Sequence, residues 1–253
     1  MSAPKKLDLT IVIPAYSEEK RIGSTLNSLA FFLKEDDFFG KKAIEVIVVV
    51  ADAPDRTHRI VVDKGRLFNN FRLLKSGPKV GKGRDVQLGV LGASSKMVIY
   101  MDADLSTPLH HLEKFYKTCE KTGDVVIGTR NLLRHHPNPL RRMISNAGNV
   151  LFRIVGGVWV EDSQCGFKIF DNHSAQLCFS KLKIMGWGFD MEILAIARAN
   201  GLKIQSYRIN DWKDMPHSTF TEGLIKISIR SLKDLGFIGM HRIKGTYLNK
   251  NMN

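Results

Sequence analysis

Short apolar runs separated by stretches of helical spacing recur through the first half of this chain, and that alternation limits the folds open to it. Leu9–Pro14 reads as a strand, Arg21–Leu33 has helical spacing, and Glu45–Val50 (EVIVVV) is a second, strongly β-branched strand. Thr57–Phe68 then reads as helix, Phe71–Leu74 as a short strand, Lys82–Ala93 as helix and Met97–Met101 as strand. Pro108 stands where a further helix would begin, since its fixed φ and missing N–H suit a first helical turn. That helix runs to about Thr122, ahead of a strand at Val125–Thr129. Strands apolar on both faces, alternating with amphipathic helices, predict an α/β fold with a mostly parallel sheet covered on both sides. Asn131–Pro139, with two prolines and two histidines, reads as a mobile loop. There is no internal repeat.

The polar residues gather where these strands end. Val98–Ser106 (VIYMDADLS) is a buried-type strand running into two carboxylates, Asp102 and Asp104. Asp-x-Asp is common in solvated turns, so its position gives it weight: open α/β sheets bind ligands outside the carboxyl ends of their strands. Two carboxylates there can share a hard dication with a substrate's phosphates, which suggests a nucleotide-diphosphate site. Strand one ends in Pro14-Ala-Tyr-Ser-Glu-Glu19 and strand two in Ala51-Asp-Ala-Pro-Asp55. A tyrosine face beside a carboxylate suits a nucleobase, although simple packing explains Tyr16 equally well in isolation. Gly81-Lys82-Gly83-Arg84 at a helix start would offer backbone N–H groups and a lysine to a phosphate. It is not a Walker A loop, because the glycine spacing is one residue short and Gly83 replaces the Ser/Thr.

Composition narrows the partners. The chain has 253 residues and a formal charge of +13, from 38 basic and 25 acidic side chains. Nucleic acid, an anionic membrane surface and a phosphorylated substrate would each account for that excess. Between Val125 and Val160 there is no Asp or Glu, while Arg130, Arg134, Arg141, Arg142 and Arg153 all fall there. Arginine can grip phosphate through two parallel hydrogen bonds. No recognition helix or RNA-binding aromatic pattern is visible, which argues against nucleic acid. Cys119, Cys165 and Cys178 have no metal-ligand spacing and suit a reducing compartment. No signal peptide is visible, and no apolar run reaches the ~18 residues of a spanning helix. The Asn172-His-Ser174 sequon is accordingly expected to stay unused.

Six segments together resemble a known family. Pro14–Glu19, the Val-Val-Val-Ala-Asp stretch ending at Asp52, Gly81–Gly83, Met101–Ser106, Gly128–Arg130 and Asp162–Phe170 (DSQCGFKIF) occur in the same order in inverting GT-A glycosyltransferases of family two. The branch that transfers sugars to dolichyl and other polyprenyl phosphates is the most similar, and Gly186–Glu192 and Asn210–Ser218 resemble it as well. The resemblance spans about residues 7 to 240, and the Asp162–Lys168 block is its most specific part. It implies a GT-A, Rossmann-like fold, and a hexose, glucose from UDP-glucose by preference, passing to a dolichyl or polyprenyl phosphate with Mg²⁺ or Mn²⁺ as cofactor.

Matched position by position, the resemblance makes Pro14, Ala15, Tyr16, Glu18, Asp52, Lys82, Asp102 and Ala103 donor contacts. Asp102 and Asp104 become the metal carboxylates, and Arg130 meets the acceptor phosphate, with Arg134, Arg141 and Arg142 assisting. Gln164, Asp190 and Glu192 line the reaction site, with Asp104, Gln164 and Asp190 as catalytic candidates. Two departures bear on donor identity: Ala51-Asp-Ala-Pro54 stands where the family has Asp-Asp-Gly-Ser, and Ser17 where it has Asn. GDP-mannose as donor, a non-lipid acceptor, and nucleotide-sugar binding without transfer remain open. The expected layout is a catalytic domain over residues 1–218 and a basic amphipathic segment over 219–253. Within it, Lys226, Arg230 and Lys233 recur at helical spacing beside Leu224, Ile225, Ile229, Leu232, Leu235 and Ile238. Such a helix lies in a headgroup region, giving peripheral attachment to the cytosolic side of a membrane.

Overall fold

The computed structural model describes residues 7–130, 139–213 and 224–249. Seven strands form one sheet in the order β3-β2-β1-β4-β6-β5-β7. They are β1 (Leu9–Ala15), β2 (Ile44–Ala51), β3 (Phe71–Gly77), β4 (Met97–Met101), β5 (Val125–Arg130), β6 (Phe167–Asp171) and β7 (Ile204–Ile209). All neighbours are parallel except at β6, which runs antiparallel to both β4 and β5. Met101 therefore pairs with Phe167, and the chain just before β6 is delivered to the carboxyl end of β4.

Eight α-helices are described: α1 (Ile22–Glu35), α2 (Thr57–Gly65), α3 (Lys82–Leu91), α4 (His111–Thr122), α5 (Pro139–Gly156), α6 (Asn172–Lys181), α7 (Phe189–Ala199) and α8 (Leu224–Ile243). Strand side chains alternate between the two faces. Ile11, Ile13, Val48 and Ile99 pack under α1, α2 and α4. Val12, Val49, Val98 and Tyr100 pack under α3, α6 and α7. α8 is stapled to the second layer by Leu235, Ile238 and Tyr247, which join the same core.

The mostly parallel, two-sided α/β sheet matches the expectation from sequence. Two boundaries move for local reasons. α4 starts at His111, because Pro108 and Leu109 close a turn onto the His111 and Leu112 N–H groups first. α2 stops at Gly65, where a Cβ would lie 2.4 Å from the Phe71 ring. Residues 131–138, which hold Arg134 and most of the loop read as mobile, lie outside the described residues, as do the side chains of Arg141, Arg142, Leu224, Ile225 and Lys226.

Candidate active site

The carboxyl ends of β1, β2, β4 and β5 bring most of the expected residues to one edge of the sheet. Asp102 follows β4 directly, its N–H bonded to the Gly166 carbonyl at 3.2 Å. A Cβ on Gly166 would fall 2.0 Å from Asp102 Oδ2, so only glycine lets this backbone reach the carboxylate. Lys82 forms an ion pair with Asp102 Oδ1. Burial disfavours the Lys82 charge, but Asp102 and Asp190 outweigh it and raise its pKa. Asp104 accepts the Ser106 N–H at 2.9 Å through Oδ1, and its Oδ2 lies 3.9 Å from Arg21 Nη1. Ala103 between them is buried, with its carbonyl accepting from the Thr25 hydroxyl at 2.6 Å.

Arg21 gave no signal in the sequence. It donates to Glu18 through Nε and Nη2, both at 2.8 Å, while its buried Nη1 has no hydrogen-bond partner among the described residues. Glu18 is therefore clamped to Arg21, and burial lifts its carboxyl above the ordinary value despite that neighbour. A buried donor costs about 1–3 kcal/mol when unsatisfied, and the Asp104 carboxylate lies 3.9 Å from this one, beyond direct hydrogen-bond reach.

The two flanking turns carry strain. Ser17 and Leu105 have φ of 55°, a region in which β-carbon-bearing residues are uncommon and Asn is enriched. The asparagine usual at the Ser17 position thus has a conformational reason. Lys79 Nζ lies 4.0 Å from the centre of the Tyr16 ring. Asp52 borders a cavity of about 190 Å³, lined also by Val50, Ala51, Ala53, His58 and Lys75. His58 Nε2 is buried there without a hydrogen-bond partner among the described residues.

The Gly-Lys-Gly segment also has a packing role. A Cβ on Gly81 would lie 2.3 Å from the Met185 carbonyl oxygen, and one on Gly83 would lie 2.6 Å from Phe189 Cβ. The Arg84 N–H is spent on the Gly81 and Met185 carbonyls. These glycines let α3 pack against 184–189, and Lys82 brings its side chain to Asp102.

Arg130 ends β5 and grips Asp162, with Nε–Oδ2 at 2.6 Å and Nη2–Oδ1 at 2.9 Å. Burial opposes both charges, yet each partner stabilises the other, so the Asp162 pKa is lowered and the Arg130 pKa raised. The Trp212 ring lies 5.5 Å from the guanidinium carbon, and Gln164 is exposed beside the pair. Asp190 does not open onto solvent. It is 2% exposed, its Oδ1 accepting from Tyr100 at 2.6 Å and from Lys168, whose ammonium also bonds the Cys165 carbonyl. Glu192 is turned away from the site altogether, because it accepts from the Lys183 and Ile184 N–H groups and the Tyr247 hydroxyl. Its expected place in the reaction site is corrected accordingly: it holds the core together.

The family model for glycosyl transferase family 2 matches residues 10–175, which contain most of these groups. The chain belongs to glycosyl transferase family 2 and is a glycosyltransferase. Among individual relatives, it is 32% identical to dolichyl-phosphate beta-glucosyltransferase ALG5A of Trichomonas vaginalis, over 91% of this chain and 73% of that one. It is 30% identical to the dolichyl-phosphate beta-glucosyltransferase of Saccharomyces cerevisiae, over 96% and 77%. The fold is shared with glucosyl-3-phosphoglycerate synthase from Mycobacterium tuberculosis in complex with Mn²⁺, UDP-glucose and phosphoglyceric acid, at TM-score 0.67 and 17% identity over 92% and 80% of the two chains.

Proposed function

We propose that this enzyme transfers a hexose, glucose from UDP-glucose, to the phosphate of a dolichyl or other polyprenyl phosphate with inversion. The observation that carries this reading is the row of charges at the sheet edge, Arg21–Asp104 and Lys82–Asp102, with Arg130 beyond it. Two carboxylates framed by cations suit a metal–diphosphate group, and the unsatisfied Arg21 Nη1 suits an anionic oxygen. The names of the relatives support the acceptor.

Asp102 and Asp104 offer hard oxygen ligands of the kind Mg²⁺ or Mn²⁺ takes. When bound there, the ion would neutralise charge on the departing nucleoside diphosphate. The chain's own groups do the rest. Lys82 and Arg21 hold the diphosphate, and Asp52 with Tyr16 frames the base. Arg130, kept in place by Asp162, orients the acceptor phosphate. No side chain has to remove a proton, since a phosphate monoester with second pKa near ~6 is largely dianionic at neutral pH. Asp190, buried and accepting from both Lys168 and Tyr100 through Oδ1, is suited to fixing geometry rather than to acting as a base.

A lipid phosphate also requires the enzyme to reach a bilayer. Among the described residues no helix is long and apolar enough to cross a membrane. α8 buries Leu235 and Ile238 but exposes Ile229, Leu232, Met240 and Ile243 along one stripe, with Arg230, Lys233 and Lys244 beside it. Val150 and Ile154 on the neighbouring α5, and Trp159 after it, are exposed too. This surface is suited to peripheral docking on an anionic leaflet. The test is transfer from radiolabelled UDP-glucose and GDP-mannose to dolichyl phosphate, with and without chelator. Label should move from UDP-glucose only, and only with metal. Transfer from GDP-mannose, or full activity in excess chelator, would refute the donor or the metal.

A further inference from the structure

We propose that His110, His111 and Asp211 form a second cation site, for a single transition-metal dication of the Zn²⁺ or Co²⁺ kind. The site shares no residue with the Asp102–Asp104 pair. His110 and His111 stand at the start of α4, and Asp211 lies two residues beyond β7, a hundred positions later in the chain. The fold aims both imidazoles at one carboxylate: His111 Nε2 lies 2.6 Å from Oδ1 and His110 Nε2 3.1 Å from Oδ2. His111 is buried and braced edge-on by Tyr207, with ring centres 5.8 Å apart, so its direction is fixed by packing. His110 is exposed, with its ring centre 4.2 Å from that of His111.

The three ligand atoms all lie within 4.8 Å of one another. A tetrahedral ion with bonds of ~2.0–2.2 Å needs its ligand atoms ~3.4 Å apart. Reaching that spacing needs rotation of the exposed His110 ring and of the part-exposed Asp211 carboxylate, whose Oδ1 must draw back from 2.6 Å to His111 Nε2, with the dication taking the place of the contacts between the imidazoles and the carboxylate. Two nitrogens and one oxygen favour borderline ions over Mg²⁺, which prefers oxygen alone. Three protein ligands leave the fourth position to water.

The position gives the ion a consequence. The Lys213 N–H bonds the Ser106 carbonyl at 3.1 Å across the same junction. Ser106 supports Asp104, and Trp212 lies against Arg130. An ion at this joint would tie the turn carrying Asp104 to the segment carrying Trp212.

The experiment is titration of the full chain with Co²⁺ in saturating Mg²⁺, following visible d–d absorption and its displacement by Zn²⁺. Asp104→Asn, His110→Gln and Asp211→Asn are compared, with circular dichroism checking the fold; His110→Gln alters an exposed side chain and is the variant safest for folding. One tetrahedral Co²⁺ is expected in the parent and in Asp104→Asn, weakened by at least about tenfold in His110→Gln and Asp211→Asn. Three results would overturn the site: no tetrahedral spectrum in the parent, binding lost only in Asp104→Asn, or equal binding in every variant. None of these depends on transferase activity.

Discussion

At the residue scale, the determining feature is how charge is buried beneath the site. Lys168 is fully buried, and Asp190 is its carboxylate partner. Breaking a buried pair by removing one charge typically costs about 3–5 kcal/mol, because the other charge is stranded. Asp190→Asn should therefore lower stability by that order in urea unfolding, and adding Lys168→Met should recover part of it. A single variant as stable as the parent would show that the pair contributes nothing. Asp162 gives a pH-dependent counterpart. Burial works against its charge, but Arg130 outweighs burial and holds the native pKa below the ordinary one. Its contribution is thus present above the unfolded pKa of ~3.9 and is lost as pH falls through the lower native value. Asp162→Asn should cost most stability near pH 6 and progressively less below about pH 4; a cost independent of pH would mean that the ion pair is not its source. Asp102, Asp104, Lys82 and Arg130 were legible in the sequence because each ends a strand or begins a helix at the ligand edge. Arg21 was not, because one arginine at the start of an amphipathic helix carries no periodic or motif signal. Its importance lies in a neighbour, Asp104, 83 positions away.

At the scale of elements, β1, β2, β4 and β5 could be read because each is a mostly apolar run, while of β3 only Phe71–Leu74 was legible, since Lys75–Gly77 is polar. β6 and β7 could not. β6 is five residues with a lysine at its second position, and α6 begins at its next residue. A lysine in a central strand contradicts the usual pattern, and only the partner on α7 explains it. The C-terminal helix shows the same limit. Its apolar residues were readable as a set, but their division between core and surface depends on where α5 and α7 lie. Leu235 is 3% exposed and Leu232 57%. Leu235→Ala should cost about 2–5 kcal/mol, with vesicle binding unchanged under conditions where the protein stays folded. Leu232→Ser should leave unfolding nearly unaltered but weaken co-sedimentation with anionic liposomes. Loss of vesicle binding in neither, or of stability in both, would remove the exposed stripe from membrane docking.

At the scale of the whole molecule, the antiparallel strand β6 makes the site a property of the entire chain. Without it, Gly166 would not meet Asp102, and Asp162 would not reach Arg130 across β5. Groups from residues 16–21, 52, 82, 102–104, 130 and 162–168 are carried by β1, β2, α3, β4, β5 and β6, so the proposed donor binding would be coupled to the folding of the sheet rather than to one segment. A ligand that binds only the native state at 100 times its Kd stabilises it by about 2.7 kcal/mol. For a chain of this size each kcal/mol raises Tm by about 2–4 °C, which gives a shift of about 5–10 °C. The charges at the edge determine which components are needed. In the proposed donor site Arg21 and Lys82 would face the diphosphate, whereas Asp102 and Asp104 would repel it unless a dication intervened. UDP with Mn²⁺ should therefore raise Tm by this amount in a thermal-shift measurement, whereas UDP with excess chelator should raise it far less and Mn²⁺ alone only slightly. Asp104→Asn should abolish the difference between the two UDP conditions. An equal shift with and without metal would mean that Lys82 and Arg21 neutralise the diphosphate unaided and that the Asp102–Asp104 pair serves another purpose.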